Sequence, residues 1–414
     1  MMKDSSPGKL SGKHIYVLVA SCFMAWAVMG MLNAYGVFIT PMGEFLHVGK
    51  AAVTLHMSLK TLATGLASPL AARLISKKVN VKKTMPAGMA LYLISSVLIA
   101  YSRSVVLVDI LAAVSGFALA FFSFMLITII LGNWFHRSLG TFSGIVISFS
   151  GIGSAIASPV TTRMLAHLGY QTTYVLYSVI TVLMVVPILF SGFTPEESGL
   201  LPYGEGLPDA GASGADKKAK ALSLDLRFQL FSAVSVVLFL MTLLLMGLTT
   251  INSHLPSLAV SYGFTAETGA LLLSASMIGN LVSKFGLGVI IDRLGVLKGF
   301  IIILLISLAG LTVILFTGDG TAVLLLGGFL YGTVFSLASL GLSILTRYLY
   351  GNAQYNSVYA KVTLMTSVGN AVFVTLVGVL YDVTGSYRAP VVMGISMILV
   401  SLMMTLWLSA RKKQ

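Results

Sequence analysis

A lysine inside an apolar segment is the residue of this chain best suited to bind a charged ligand. Lys284 lies in the stretch LVSKFGLGVIIDRLG, which ends in a charged turn containing Asp292 and Arg293. A cation in hydrocarbon costs at least about 2.5–3.5 kcal/mol, so such residues usually face a bundle interior or a polar cavity. We therefore expect the Lys284 ammonium to meet a negatively charged group.

Asn280 lies one helical turn before Lys284, on the same face of the predicted helix. Its amide can orient a ligand beside the lysine, but it cannot take up a proton at physiological pH. If the protein moves protons, the carrier is Lys284, another site or the ligand itself. The alternative role of Asn280 is an interhelical hydrogen bond, worth under about 2 kcal/mol.

His56 and Lys60 lie four residues apart in VTLHMSLKTLATG, on one face of another apolar segment. Lys60 has two interpretations. Its stem extends to the membrane interface or an outer gate, or its ammonium faces the cavity as a second ligand-binding cation. His56 titrates near neutral pH and is a candidate proton-linked group, although a lone histidine near a helix end is more often structural.

Several kinds of chemistry have no support in the sequence. It contains no Walker loop, metal-ligand cluster or nucleophile elbow, so we expect neither ATP-driven transport nor an enzyme, and no cofactor or metal. The single cysteine, Cys22, excludes an intramolecular disulfide framework. Asp109 is the only acidic residue within a predicted span apart from Glu267, which stands at a helix end, so a proton relay between paired carboxylates is not expected.

The elements that hold these residues are apolar helices. The chain is 57% hydrophobic and 9% charged, with a mean hydropathy of +0.95, whereas soluble domains are about 25% charged. We predict an all-α integral membrane protein with twelve transmembrane helices. The predicted spans are 15–40, 52–74, 84–102, 105–131, 139–162, 171–192, 228–252, 267–291, 298–317, 321–345, 356–381 and 389–410.

The distribution of positive charge predicts the orientation. With a cytoplasmic N-terminus, most of the 26 Lys and Arg residues fall on the cytoplasmic side, as the positive-inside rule requires. Both termini are then cytoplasmic, and the net charge of +13 reflects topology rather than nucleic-acid binding. The first apolar block has no cleavage site and should remain as a signal anchor. The compact loops fit a bacterial cytoplasmic membrane.

The longest polar segment divides the predicted spans into two groups of six. It covers 193–227, includes EGLPDAGASGADKKAK and is typical of a flexible linker. The predicted domains are therefore an N-terminal six-helix bundle at 1–192, a cytoplasmic linker at 193–227 and a C-terminal six-helix bundle at 228–414. Weak similarity between the halves is typical of transporters with a site at the repeat interface.

The motif Gly288-x-x-x-Asp292-Arg293-x-Gly295 resembles the loop motif of the major facilitator superfamily. In the first half the motif is degenerate before Arg73, since Ser68 and Ala72 replace its glycine and aspartate. The resemblance implies a gate, in which Asp292, Arg293 and Arg73 latch cytoplasmic helix ends in the outward-open state. Three further segments resemble the monocarboxylate-transporter and oxalate:formate-antiporter branch: NAYGVFITPMGEF (33–45), GNWFHRSLGTFSG (132–144) and PEESGLLPYGE (195–205).

The branch resemblance also implies binding residues. In relatives an arginine that pairs with the substrate carboxylate stands at the place of Lys284, and proton-coupled animal relatives carry an aspartate at the place of Asn280. Lysine keeps the charge of arginine but loses its planar pair of donors. Two further candidates for substrate binding are Asn33, which falls near a substrate-linked lysine of some relatives, and Thr363, which aligns with the second cation of the antiporter. Phe122 and Phe335 are candidates for apolar walls of the cavity, and the alternative for both is core packing.

These observations predict a monomeric secondary transporter with alternating access to a central site. The expected partners are a small organic anion, most closely a monocarboxylate such as lactate or pyruvate, and a proton moved in symport. Two alternatives remain open. One is exchange of organic anions of the oxalate:formate type, and the other is a receptor-like protein that binds its anion without moving it.

Overall fold

The computed structural model describes residues 10–76, 81–137, 139–204, 229, 231–318 and 320–411. Within these ranges the chain is helical and forms no strand, and one isolated bridge joins Phe135 and Tyr203. The predicted all-α class is therefore confirmed. We keep the words outer and cytoplasmic for the two ends of the helices as the charge distribution predicts them.

Twelve helices carry the described chain. They are α1 Gly12–Leu46, α2 Lys50–Ser76, α3 Val81–Tyr101, α4 Val105–Trp134, α5 and α6 as the two parts of Leu139–Leu189, α7 Ala233–Ser261, α8 Ala266–Leu294, α9 Val296–Leu315, α10 Thr321–Gly351, α11 352–384 and α12 Arg388–Arg411. The paired helices separate at Gly169 and Gly351, which have φ values of 73° and 65°. Such backbone conformations favour glycine because it has no Cβ.

Ten continuous helical segments of the described chain are long and apolar enough to cross a membrane. One of them, Thr141–Leu189, includes the break at Gly169 and so contains two of the twelve predicted spans. The remaining span is α2, which has 27 residues but is less apolar because it carries His56 and Lys60.

Four helices contain a stretch that departs from α-helical hydrogen bonding. These stretches are Trp26–Met31 and Tyr35–Phe38 in α1, Ala120–Phe122 in α4, Ile251–His254 in α7 and Leu337–Gly341 in α10. Each is in the first helix of a group of three, which fits a repeat of three helices within each half. Turns of 3₁₀ and π geometry inside helices often mark functional sites.

The chain forms two compact units, whose composition differs from the predicted halves. Unit 1 contains Met1–Asn33, Leu59–Ala157 and Met164–Lys217, and unit 2 contains Ala34–Ser58, Ser158–Arg163 and Lys218–Gln414. Unit 2 thus includes the outer ends of α1, α2 and α5 from the first half. The predicted domains 1–192 and 228–414 stay a prediction.

The first part of the predicted linker packs on unit 1. Tyr203 N–H donates to the Trp134 carbonyl at 2.9 Å, and the imidazole of His14 is 3.2 Å from the Leu201 carbonyl. Within this stretch Pro195–Ser198 forms a 3₁₀ turn. The polar remainder of the predicted linker, 205–228, lies outside the described residues.

Candidate substrate site

Lys284 lies on α8, between the outer N-cap at Thr265 and the cytoplasmic C-cap at Gly295. Its ammonium forms no hydrogen bond, ion pair or cation–π contact with any residue that the structure describes. The side chain is only partly exposed. A cation in a membrane span is costly and usually marks a ligand or ion pathway, so Lys284 is a candidate to bind an anion.

Asn280 lies one turn before Lys284 and is 2% exposed. Its Oδ1 atom is buried and has no hydrogen-bond donor in the described chain. Its Nδ2 atom has one weak contact, at 3.9 Å from the Met277 sulfur. An interhelical hydrogen bond, the alternative role for Asn280, is therefore not formed by the oxygen of its amide.

A second amide, Asn252, lies close to the same face of α8 and was missed in the sequence. It belongs to the 3₁₀ stretch Ile251–His254 of α7, and its Oδ1 accepts a hydrogen bond from Ser276 Oγ at 2.8 Å. Ser276 precedes Asn280 by one turn. The signal in the sequence is the polar triplet from Asn252 to His254 inside an otherwise apolar run.

Tyr331 supports the irregular turn of α7. Its buried hydroxyl donates to the Leu248 carbonyl at 2.6 Å, within the last regular turn before the 3₁₀ stretch. A carbonyl freed by a helix break needs another donor when it is buried, and Tyr331 supplies one. The conformation that carries Asn252 is thus held by a side chain from α10.

Lys60 belongs to unit 1 and does not extend to the membrane interface. The residue is 6% exposed, and its ammonium lies 4.9 Å from the centre of the Tyr92 ring. Of the two interpretations of Lys60, this burial and the cation–π contact favour an ammonium inside the bundle, and a role in substrate binding stays a prediction. Gly116 permits this packing, since a Cβ there would collide with the Lys60 carbonyl.

His56 belongs to unit 2 and is 1% exposed. Its Nε2 lies 2.9 Å from the Tyr35 hydroxyl, so it is hydrogen bonded to the 3₁₀ stretch of α1. This contact supports the structural alternative for His56. Its role as a proton-linked group stays a prediction.

The remaining candidates are dispersed. Asn33 is half-buried between the π and 3₁₀ stretches of α1. Phe122 is fully buried in the core of unit 1 beside Tyr92, which supports core packing in this conformation. Phe335 is half-buried on α10. Thr363 is exposed and donates to the Tyr359 carbonyl of its own helix at 3.0 Å, so its hydroxyl proton is already used.

The family model of the Major Facilitator Superfamily matches residues 20–273 and 237–414, which is most of the chain. The chain belongs to the major facilitator superfamily.

Among curated relatives, the uncharacterized MFS-type transporter YcxA of Bacillus subtilis is 21% identical over 178 residues, 43% of each chain. The MFS-type transporter pynF of Aspergillus niger is 25% identical over 287 residues, 67% of this chain and 61% of that one. The chain thus matches less than two thirds of the length of either relative.

Among solved structures, the nucleoside transporter NupG superposes with a TM-score of 0.72 at 15% identity, covering 98% of this chain and 100% of that one. A point mutant of NupG superposes with a TM-score of 0.71 at 14% identity, covering 96% and 98%. At these identities the likeness shows the shared fold.

The motif residues Asp292 and Arg293 have no ion-pair partner within the part of the chain that the structure describes. Both side chains are exposed. The side chain of Arg73 lies outside the described part of the chain. The gating role of Asp292, Arg293 and Arg73 stays a prediction.

The outer ends of the helices in unit 2 are closed against one another. The Asp382 carboxylate, at the end of α11, accepts hydrogen bonds from the backbone N–H groups of Lys50 at 3.0 Å and Ala51 at 2.8 Å. It therefore caps the N-terminus of α2, where a negative charge also meets the positive end of the helix dipole. About two turns deeper into α2, Ser58 Oγ donates to the Ala371 carbonyl at 2.6 Å.

Lys50 links this closure to pH. Its ammonium lies 3.8 Å from the Tyr381 ring centre and 4.6 Å from that of Tyr387. Burial lowers the pKa of Lys50 from 10.5 to about 8, although the carboxylates of Asp382 and Glu44 oppose the shift. We expect an open state to expose the Lys50 ammonium and so to return its pKa to the ordinary value of lysine. The closed state thus binds fewer protons between about pH 8 and 10.5, and a higher pH favours it there.

We therefore expect the outer side to close further as the pH rises from 7.5 to 9.5. The measurement is maleimide labelling of Ser58→Cys from outside, in a Cys22→Ala background, divided at each pH by the rate of the same thiol in denatured protein. The corrected rate should fall with pH, and Lys50→Gln should remove the slope. A slope that Lys50→Gln leaves intact would contradict this assignment.

Proposed function

We propose that this protein is a secondary transporter of small organic anions, and that a monocarboxylate such as lactate or pyruvate is its substrate. The observation that carries the proposal is the Lys284 ammonium, which has no partner among the described residues of a membrane span. A bound carboxylate would supply the missing negative charge. The resemblance of several segments to the monocarboxylate-transporter branch supports the same substrate class.

Charge neutralisation links binding to movement of the protein. Enclosing a lone ammonium or a lone carboxylate in an apolar interior is costly, whereas enclosing the pair is much less so. The loaded site can therefore close, and a ligand shifts the equilibrium toward the state that it binds better. Lys284 is a compact point charge with three donors, which suits a single carboxylate in more than one orientation.

In the mechanism we favour, the cotransported ion is a proton. Asn280 cannot carry it, and the amide stands where animal relatives have an aspartate. The proton then travels with the substrate or on Lys284 itself. This makes the loaded transporter electroneutral for a monocarboxylate and couples uptake to an inward proton gradient.

Exchange of organic anions is the second candidate, and Lys60 is the observation that favours it. A second cation is buried in a bundle interior, 6% exposed beside Tyr92, where a membrane protein ordinarily avoids charge. A buried cation of this kind is a candidate to bind a carboxylate of an exchanged anion. In that case an anion leaving the cell would take the place of the proton.

The test is uptake of radiolabelled L-lactate by purified protein in proteoliposomes, with and without an inward proton gradient. Gradient-stimulated uptake into vesicles without internal anion supports symport. Uptake that requires preloaded formate or oxalate supports exchange instead. Binding of lactate without accumulation would mean a receptor, and neither binding nor transport of any of these anions would overturn the proposed substrate class.

A further inference from the structure

Two buried amides in unit 2 each have one end without a hydrogen-bond partner. Asn252 and Asn280 are both 2% exposed. The Oδ1 of Asn252 is satisfied by Ser276, but its Nδ2 donates to no described residue. In Asn280 the Oδ1 lacks a donor. Buried polar groups are nearly always paired, so the unused acceptor of Asn280 needs an explanation, and Asn252 Nδ2 is a donor that a ligand could use.

Asn280 belongs to a polar stripe on α8. Ser276, Asn280 and Lys284 follow at intervals of four residues on α8, about 6 Å apart along the helix axis. A side chain on a helix leans toward the helix N-terminus, which brings the Lys284 ammonium toward Asn280. Asn252 joins the stripe through its 2.8 Å hydrogen bond with Ser276.

We propose that Asn252 and Asn280 bind the hydroxyl group of a 2-hydroxy acid whose carboxylate is held by Lys284. The substrate oxygen accepts a hydrogen bond from Asn252 Nδ2, and its proton is donated to Asn280 Oδ1. A 2-oxo group can only accept, and an acid without a substituent at C2 can do neither. The inference rests on the proposed function and narrows it to one substrate type.

Ser276 is a positioning residue in this arrangement. The Ser276 hydroxyl donates a hydrogen bond to Oδ1 of Asn252. The Nδ2 atom of the same amide therefore points away from Ser276 and is available to the ligand. The Asn280 oxygen is enclosed in the outer-closed structure, so a ligand meets it when the amide turns away from Met277. The amide contact with the Met277 sulfur is long, and methionine is easily displaced.

Uptake of L-lactate, pyruvate and propionate tests the assignment, because these acids share a three-carbon chain and differ only at C2. The wild type should prefer lactate to propionate by about tenfold, on the scale of one or two buried hydrogen bonds. Asn280→Leu should remove the preference for lactate over pyruvate and spare pyruvate uptake. Asn252→Leu should lower lactate and pyruvate together relative to propionate.

Two milder variants complete the experiment. Ser276→Ala should act in the same direction as Asn252→Leu with a smaller change, and it carries the test if either leucine variant fails to fold. Ser307→Ala is the matched control. It removes a buried hydroxyl that lies 2.9 Å from Thr333 in the same unit, and should leave all three ratios unchanged.

The outcomes separate the two proposals. If the wild type transports none of the three acids, the proposed substrate class is wrong. If it transports them without preference, or if the asparagine and serine variants keep the wild-type ratios, Asn252 and Asn280 do not recognise the hydroxyl. A preference for pyruvate that Asn280→Leu abolishes would likewise overturn the assignment of donor and acceptor.

Discussion

Replacing Lys284 by methionine should reduce lactate uptake in proteoliposomes about 100-fold while leaving the protein folded. The variant loses the charge-assisted contact between the Lys284 ammonium and the substrate carboxylate in a low-dielectric site. A 100-fold reduction corresponds to about 2.7 kcal/mol of lost interaction free energy. The thermal stability of the protein without ligand should be unchanged or higher. Methionine is similar in length and removes an unpaired cation from the span.

The stability measurement distinguishes a binding role from a structural one. A lysine that held a helix end together would lower the melting temperature when replaced, and loss of uptake would then follow from unfolding. Lys284→Arg keeps the charge and should retain measurable uptake. Lys361→Met is the control in the same unit. Lys361 is partly exposed near the cytoplasmic end of α11, so its replacement should have little effect on lactate uptake. Normal uptake by Lys284→Met would refute the proposed site.

Replacing Gly36 by alanine should abolish transport but preserve lactate binding. Gly36 lies in the 3₁₀ stretch of α1, and a Cβ at this position would collide with the Ser253 backbone of α7. Backbone atoms cannot move aside as the end of a flexible side chain does, so the outer side cannot close. We expect no such conflict in an open state, in which these two backbones would be farther apart.

A protein that cannot close its outer side can be recognised by cysteine labelling. Labelling of Ser58→Cys from outside should rise at least tenfold in Gly36→Ala, since Ser58 is 3% exposed in the closed structure. Gly286→Ala is the matched control on α8. Nothing lies within 4 Å of a Cβ there, and alanine is the better helix former. Unimpaired uptake by Gly36→Ala would show that the contact at Ser253 does not form during the transport cycle.

Much of the architecture follows from local patterns in the sequence. Apolar stretches about 20 residues long predict membrane helices because a bilayer admits few other structures. The spacing of Asn280 and Lys284 predicts a shared helix face, since helical periodicity depends only on position along one element. The isolation of Lys284 among apolar neighbours was equally visible, and the structure shows no described residue paired with it.

The tertiary structure decided which groups from different helices meet. The sequence left the location of the Lys60 ammonium open, because a flexible lysine stem can reach either the interface or the interior. Packing against Tyr92 determined that location. The hydrogen bond between Asn252 and Ser276 depends on a 3₁₀ turn that no local pattern announces. Likewise, Gly36 approaches Ser253 across more than 200 positions of the chain. Periodicity determines the faces of a helix, whereas close packing of whole helices determines the partner of each face.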